Sequence, residues 1–593
     1  MEALRNNDNL MSVVSLSDSN LEAMLDVAWK EEVKAGTQLI TEGDLNADYF
    51  YVVQSGTFNI IISRGEEGPQ TVGSISEGGS FGELALLYFA PRAATIQAKD
   101  ACVVWVIDRK NFKEILAQSS TAMASEYVKY LDKVEILQPL QDEEKMALAK
   151  ALTEMSFSKN EVIFQQGEKG DAFYILIEGQ VSVVKDGREV TKLAASPEKA
   201  SFFGEKALLS HEPRNATLQV ISDSAKTLTV DKMSFDMILG PLEELRTRGK
   251  QGKSKLEGRA KPAASSSSRK FGLITRKDLR RVGLLGCGGF GAVELVEHGG
   301  DTYALKALSK GYIMKSGMQQ NVLNEKNVQI MCDSPFIIKL YETYNGTQSL
   351  YFLLEPALGG ELYATYNKKG LFGKDGHAKF YVAGVVNAFQ HLHSKKIIFR
   401  DLKPENLLLT ELGHIKLTDM GLAKVVVGKT YTTCGTPDYF APEMIASAGH
   451  TLAVDWWTVG VLTFELMAGH PPFESAHPMQ IYQKVNKGIG KVNFPPKCKG
   501  VVEDLVKNLC KKEPSERLPM RKGGAANIRK HAWFNLFEWD KYDNGNMPSP
   551  YRPQVSNKKD MSNFAAKKED DMPPSVPYKD DGSGWDDDFA TSS

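Results

Sequence analysis

The chain has 593 residues, 42% of them hydrophobic and 25% charged, enough for several domains and unlike a disordered, collagen-like or coiled-coil sequence. Lysine and arginine number 72 against 74 aspartate and glutamate, a net charge of −2, so no global basic field exists to hold nucleic acid, and no such partner is expected. The six cysteines are scattered without a Cys-x-x-Cys pair, which excludes a disulfide scaffold or zinc finger and suits a reducing compartment.

Residues 1–14 form a short leading segment. Met1-Glu2-Ala3-Leu4-Arg5 has neither the apolar core of a signal peptide nor a glycine after Met1 for myristoylation. No heptad zipper is visible there, so oligomerisation is not indicated. Ala590-Thr591-Ser592-Ser593 lacks a prenylation cysteine. No apolar run approaches the ~20 residues that span a bilayer. A cytoplasmic protein without membrane span or lipid anchor is expected.

Next comes an internal repeat. Phe81-Gly82-Glu83-Leu84-Ala85 recurs as Phe203-Gly204-Glu205-Lys206-Ala207, and Pro91-Arg92-Ala93-Ala94-Thr95 as Pro213-Arg214-Asn215-Ala216-Thr217, both 122 residues further on. That period is too long for a solenoid and marks two copies of one domain, residues 15–124 and 125–245. In the first copy, Tyr51–Val53, Phe58–Ile62 and Val103–Ile107 read as short strands of a barrel or sandwich. Asn111–Gln118 and Ser125–Val134 read as flanking helices. In each copy a Phe-Gly-Glu turn opens a helix and an arginine follows ten residues after the glycine. Gly82 and Gly204 let a ligand approach the backbone, Glu83 and Glu205 can accept a sugar hydroxyl, and Arg92 and Arg214 offer fixed donors to a phosphodiester. From Arg246 to Arg281, Lys, Arg, Gly and Ser dominate, giving a basic flexible linker over 246–279.

The remainder reads as α+β, with a chemistry-bearing segment over 280–534 and a Pro-, Asp- and Lys-rich tail over 535–593. Gly286-Cys287-Gly288-Gly289-Phe290-Gly291 is a weak signal alone. It gains meaning from Ala304-Leu305-Lys306, then Glu325 on a helical run, then Arg400-Asp401-Leu402-Lys403-Pro404-Glu405-Asn406, Asp419-Met420-Gly421 and Ala441-Pro442-Glu443, all in protein-kinase order.

The repeated turn resembles the phosphate-binding cassette of cyclic-nucleotide-binding domains. That resemblance implies that Glu83 and Glu205 hold the ribose 2′-hydroxyl and Arg92 and Arg214 the cyclic phosphate. Relatives selective for cyclic GMP usually carry threonine after the cassette arginine. Ala93 and Asn215 stand there instead, so both cyclic GMP and cyclic AMP stay open.

The later motifs resemble a serine/threonine kinase of the AGC branch. ATP is then bound by Gly286, Gly288, Gly291, Val293, Lys306, Glu355, Ala357, Glu361 and Phe564, and Mg²⁺ by Asn406 and Asp419. Lys306 is held by Glu325, Asp401 takes the substrate hydroxyl proton, and Lys403 neutralises the γ-phosphate. Phe399 and Met420 replace the usual His or Tyr and Phe, and both are apolar enough for a buried spine. Thr432 matches the activating phosphosite. Glu361, Glu405 and Glu465 match positions that bind arginines ahead of the phospho-acceptor, which implies protein substrates with Arg- and Lys-rich Ser/Thr sites. The tail's Phe564 is expected against adenine and Trp585–Phe589 on the small lobe.

The whole arrangement resembles the cyclic GMP-dependent protein kinases: a multidomain α+β chain with two jelly-roll nucleotide-binding barrels, flanking helices and a bilobal kinase carrying an AGC tail. It implies transfer of the ATP γ-phosphate under control of a cyclic nucleotide. A cyclic-AMP-activated enzyme and a catalytically weak nucleotide sensor that scaffolds partners are the alternatives. The basic stretch Arg246–Arg281 is expected to occupy the acidic substrate cleft in the off state.

Overall fold

The computed structural model describes residues 18–44, 48–63, 68–82, 92–195, 201–205, 213–240, 271–288, 291–475, 477–564 and 576–592, with Leu4 and Asn7 singly. Glu83 and the basic stretch 246–270 lie outside the described residues.

After helix α1 (Asp18–Val27), the first module has strands β1 (Trp29–Val33), β2 (Gln38–Ile40), β3 (Tyr49–Ser55), β4 (Phe58–Ser63), β5 (Pro69–Ile75), β6 (Ser80–Phe81), β7 (Thr95–Ala98) and β8 (Cys102–Asp108). The three strands read from sequence are β3, β4 and β8. The strands form two antiparallel sheets, ordered β1-β8-β3-β6 and β2-β7-β4-β5. Alternation supplies the core: Tyr51, Val53, Val104 and Val106 from one sheet meet Ile40, Phe58, Ile96 and Ala98 from the other. The second module repeats this with β9 (Thr153–Ser158), β10 (Val162–Phe164), β11 (Ala172–Glu178), β12 (Gln180–Lys185), β13 (Arg188–Ala194), β14 (Ser201–Phe203), β15 (Thr217–Val220) and β16 (Ser224–Asp231). Its sheets are ordered β14-β11-β16-β9 and β10-β15-β12-β13.

Both modules end in a capped helix. Asp108 accepts the Asn111 N–H at 2.9 Å to start α2 (Arg109–Leu131), and Asp231 accepts the Ser234 N–H at 2.9 Å to start α4 (Lys232–Leu239). The two helical stretches expected after the first barrel are one 23-residue helix. The serines and threonine between them are weak helix formers, not breakers. The 124/125 boundary falls inside α2, whose Ala124 and Leu131 join the core of the second module with Leu148 of α3 (Asp142–Ala151) and Phe173.

The linker reading needs correction at its end. From Phe271 the chain is packed: Ile274 is 9% exposed and clusters with Val296, Leu305, Tyr344 and Leu353. Arg280 and Arg281 begin β17 (Arg280–Gly288), and Arg281 pairs with Glu294 at 2.6 Å. One buried isoleucine and a bound arginine suffice to seat a stretch whose overall composition is basic and polar.

The small lobe is a five-stranded antiparallel sheet ordered β17, β18 (Gly291–His298), β19 (Asp301–Ser309), β21 (Ser349–Leu354), β20 (Leu340–Asn345), with helix α5 (Gln319–Met331). The large-lobe helices α6 (Asp375–Ser394) and α7 (Ala453–Ala468) are largely buried. Among the described residues no helix is long and apolar enough to cross a membrane.

Candidate functional site

Strand β19 carries Lys306 and α5 carries Glu325, and their side chains meet at 2.7 Å. Asp419 approaches the same ammonium at 3.6 Å. Burial alone would lower the Lys306 value, but Glu325 and Asp419 hold it above the ordinary lysine range. Lys306 in turn holds Asp419 below the usual carboxylate range. This lysine is a fixed cation.

Asp401 lies at the opposite side of the same catalytic arrangement, 8% exposed. Its Oδ2 accepts from Lys403 Nζ at 3.0 Å and Asn406 Nδ2 at 3.0 Å, and its main-chain oxygen accepts Asn406 Nδ2 at 2.8 Å. Burial pushes the Asp401 carboxyl up, and Lys403 and Asn406 offset part of that rise. The Asn406 amide nitrogen is spent on Asp401, which leaves its oxygen, with the Asp419 carboxylate, as the type of ligand Mg²⁺ takes.

Strain marks the same segment. Arg400 and Asp419 have φ of 70° and 64°, left-handed backbone that non-glycine residues seldom adopt. The restraint on Arg400 comes from Asp455 of α7, fully buried, whose carboxylate accepts the Phe399 and Arg400 N–H groups at 2.9 Å each and faces His393 Nε2 at 2.7 Å. Sequence reasoning missed Asp455. Its signal was an acid in the first turn of a largely apolar helix, fully buried among its neighbours. Phe399 and Met420 are both fully buried, as their apolar character required.

The glycine loop separates two reasons for glycine. A Cβ on Gly286 or Gly288 would meet nothing within 4 Å, whereas one on Gly291 would overlap the Ala307 carbonyl oxygen. The first two face open space, with Gly286 opposite Val293 on the neighbouring strand. The third is demanded by β18–β19 pairing, in which Val293 lies opposite Lys306. Ala357 is 4% exposed, in the crossing between lobes. The Glu355 carboxylate is bound by Lys416 at 2.8 Å and its N–H donates to the Lys339 oxygen at 2.9 Å, so its main-chain oxygen is what is left for a nucleotide. The tail crosses here: Asn563 Nδ2 donates to the Leu358 oxygen at 3.0 Å, and Phe564 joins the small-lobe cluster beside Ala357 and Leu358. Phe589 is fully buried, 5.2 Å from the Phe352 ring, and Asp586 pairs with Lys310 at 2.5 Å.

Glu361 and Glu405 are exposed, and Glu465 is 6% exposed on α7. In the activation segment, Thr430 and His450 exchange backbone hydrogen bonds at 2.9 and 2.8 Å, and Thr432 is exposed.

The two cassettes share one geometry. Arg92 donates to the Tyr49 oxygen at 3.1 Å, and Arg214 to the Ala172 oxygen at 2.8 Å. Gly82 and Gly204 have φ of 86° and 79°, and a Cβ on either would crowd the same arginine and carbonyl. Arg214 lies 4.2 Å over the Phe164 ring, and its buried Nε has no partner among the described residues. An orphaned guanidinium donor fits an anion. Glu205 is half-buried, and Ala93 and Asn215 are exposed beside their arginines.

A cyclic nucleotide-binding domain matches residues 30–119 and again 154–240, and a protein kinase domain matches 279–534. Two such modules ahead of a bilobal kinase define the class: a cyclic-nucleotide-regulated protein serine/threonine kinase. The chain is 37% identical to the cGMP-dependent protein kinase egl-4 of Caenorhabditis briggsae, over 99% of this chain and 78% of that one. It is 34% identical to human cGMP-dependent protein kinase 2, over 97% and 78%. It is 37% identical to the Drosophila melanogaster cGMP-dependent protein kinase, isozyme 2 forms cD4/T1/T3A/T3B, over 97% of this chain but only 52% of that relative's length. The chain belongs to the cGMP-dependent protein kinase family.

Proposed function

We propose that this chain transfers the γ-phosphate of ATP to serine or threonine in basic-residue-rich protein substrates, and that cyclic nucleotide, cyclic GMP in the first instance, switches it on. The observation that carries the reading is the assembly of Lys306, Glu325 and Asp419 on one side and Asp401, Lys403 and Asn406 on the other, with every charge held by a partner. Magnesium-ATP, when bound, supplies the phosphoryl group and the metal charge. The residues do the rest by position and electrostatics. Lys306 holds phosphate oxygens with an ammonium that stays protonated. Gly286, Gly288 and Gly291 cover them with backbone N–H groups. Val293, Glu355 and Ala357 by their placement, and Phe564 from the tail, enclose the adenine, and Glu361 stands at the sugar edge. Asn406 and Asp419 hold the metal. Asp401 orients the substrate hydroxyl and accepts its proton, while Lys403 faces the transferring group.

Exposed Glu361 and Glu405 favour arginines and lysines in the substrate. Glu465, more deeply set, takes one only where the peptide enters a recess. Thr432 is the phosphosite that would order the activation segment. The free thiols support a reducing, cytoplasmic setting.

Cyclic nucleotide sits with its phosphate on Arg92 and Arg214 and its ribose on Glu83 and Glu205, with Gly82 and Gly204 permitting the approach. Ala93, which offers no hydroxyl, favours a second reading in which cyclic AMP is the activator. Phosphate transfer to an Arg-rich serine peptide, titrated separately with the two nucleotides, decides. Half-activation at lower cyclic GMP is expected, the reverse order gives the second reading, and no transfer with intact ATP binding leaves a scaffold.

A further inference from the structure

β20 is the edge strand of the small-lobe sheet, and two distant parts of the chain meet on it. Glu342, 1% exposed, is the joint. Its Oε1 accepts the Leu273 N–H at 2.8 Å, from the first packed residues after the linker. Its Oε2 accepts the Thr591 hydroxyl at 2.8 Å, from the far end of the tail. The neighbours tighten the same joint. Thr343 N–H donates to Thr591 Oγ1 at 2.8 Å, the Thr343 hydroxyl donates to the Phe589 oxygen at 2.6 Å, and Thr591 N–H donates to the Thr343 oxygen at 2.9 Å. Ser592 and Tyr344 hydroxyls both donate to the Ile274 oxygen at 3.0 Å. The segment that follows the linker and the tail therefore touch each other as well as the strand.

What the joint holds in place reaches the catalytic pair. Phe589 is seated edge-on against Phe352 at 5.2 Å. Lys326 of α5 donates to the Asp588 oxygen and lies 5.7 Å from the Phe589 ring. The residue before Lys326 is Glu325, the partner of Lys306. A buried carboxylate that loses one of two charge-assisted donors does not stay put, because little water reaches it to replace the donor.

We propose that Glu342 is a positioning residue: by binding Leu273 and Thr591 together it makes the seating of the tail, and through it the Lys306–Glu325 pair, depend on how the packed segment that follows the linker is held. The inference rests on the proposed reading of Lys306, held by Glu325, as the group that binds the ATP phosphates.

Four single variants of the full chain test it: Leu273→Pro, which removes the N–H donor but no buried side chain because Leu273 is 72% exposed; Leu273→Ala, which keeps the N–H; Thr591→Val, which removes the hydroxyl at nearly constant volume; and Thr591→Ser, which keeps it. Affinity for magnesium-ATP is titrated directly without cyclic nucleotide, and kcat is measured at saturating ATP. Leu273→Pro and Thr591→Val are each expected to weaken ATP binding roughly three- to tenfold while kcat stays within about twofold. Leu273→Ala leaves the affinity unchanged and Thr591→Ser restores it. Unchanged ATP affinity in both Leu273→Pro and Thr591→Val overturns the proposal. So does a fall in kcat and melting temperature with ATP affinity unmoved, which is what a merely structural joint gives. If Leu273→Pro does not fold, Thr591→Val decides alone. Absence of any stimulation of the parent chain by either nucleotide would remove the activator reading, and the ATP titration would still judge the joint.

Discussion

Burial opposes the charge on both Lys306 and Asp401, but their neighbours set the outcome differently. Lys306 must stay charged, and two carboxylates keep it so. Asp401 must be ionised to accept a proton, and burial opposes that while Lys403 favours it. The sign follows. The acid limb of kcat/KM lies above the ordinary aspartate range, because the folded Asp401 value is raised. Lys403→Met removes a lowering charge and moves the limb to higher pH. A limb that stays or moves lower contradicts the assignment of Asp401 as the base. Asp401→Asn should lower kcat by roughly 10²–10⁴-fold with ATP binding intact, as measured by titration. Asp455→Asn leaves two buried N–H groups with one carbonyl oxygen between them, and should destabilise the fold by about 1–3 kcal/mol in chemical denaturation. That Lys306, Asp401 and Asp419 come together was legible from motif order. Asp455 was not, because its partners are backbone groups 55 and 56 residues away along the chain, at Arg400 and Phe399.

The glycine loop shows what an element adds to a motif. Gly288→Ala enters open space, so it should raise the KM for ATP severalfold with an unchanged melting temperature. Gly291→Ala meets the Ala307 carbonyl, so it should lower stability by about 1–3 kcal/mol, visible as a lower melting temperature before any ligand is added. Equal effects of the two on stability would refute the distinction. The strands β3, β4 and β8 were legible as short apolar runs separated by glycine, serine and asparagine. The single helix α2 was not, since its Ser-Ser-Thr centre has weak propensity and is held by packing at both ends.

At the scale of the molecule, activity depends on two nucleotide pockets built to one plan. Arg92→Ala and Arg214→Ala should each raise the nucleotide concentration for half-activation about ten- to a hundredfold, the worth of a lost charge-assisted pair, while leaving the fully stimulated rate unchanged. Asn215→Thr tests the base reader: a shift toward cyclic GMP is expected in competition binding. The basic stretch is the proposed inhibitor, narrowed to residues 246–270 because Arg281 is committed to Glu294. Deleting Lys250–Ser268 should give activity without nucleotide, and unchanged dependence would remove that role. The domain order, the repeat and the kinase signature were all determined by the sequence alone, because each is a local string of residues whose chemistry needs fixed spacing. Only the tertiary structure decided that the chain packs again from Phe271, that Asp455 holds the catalytic loop, and that Glu342 joins Leu273 to Thr591 of the tail. Those are contacts between residues far apart in the chain, and a buried charge reveals its partner only once the fold has excluded water around both.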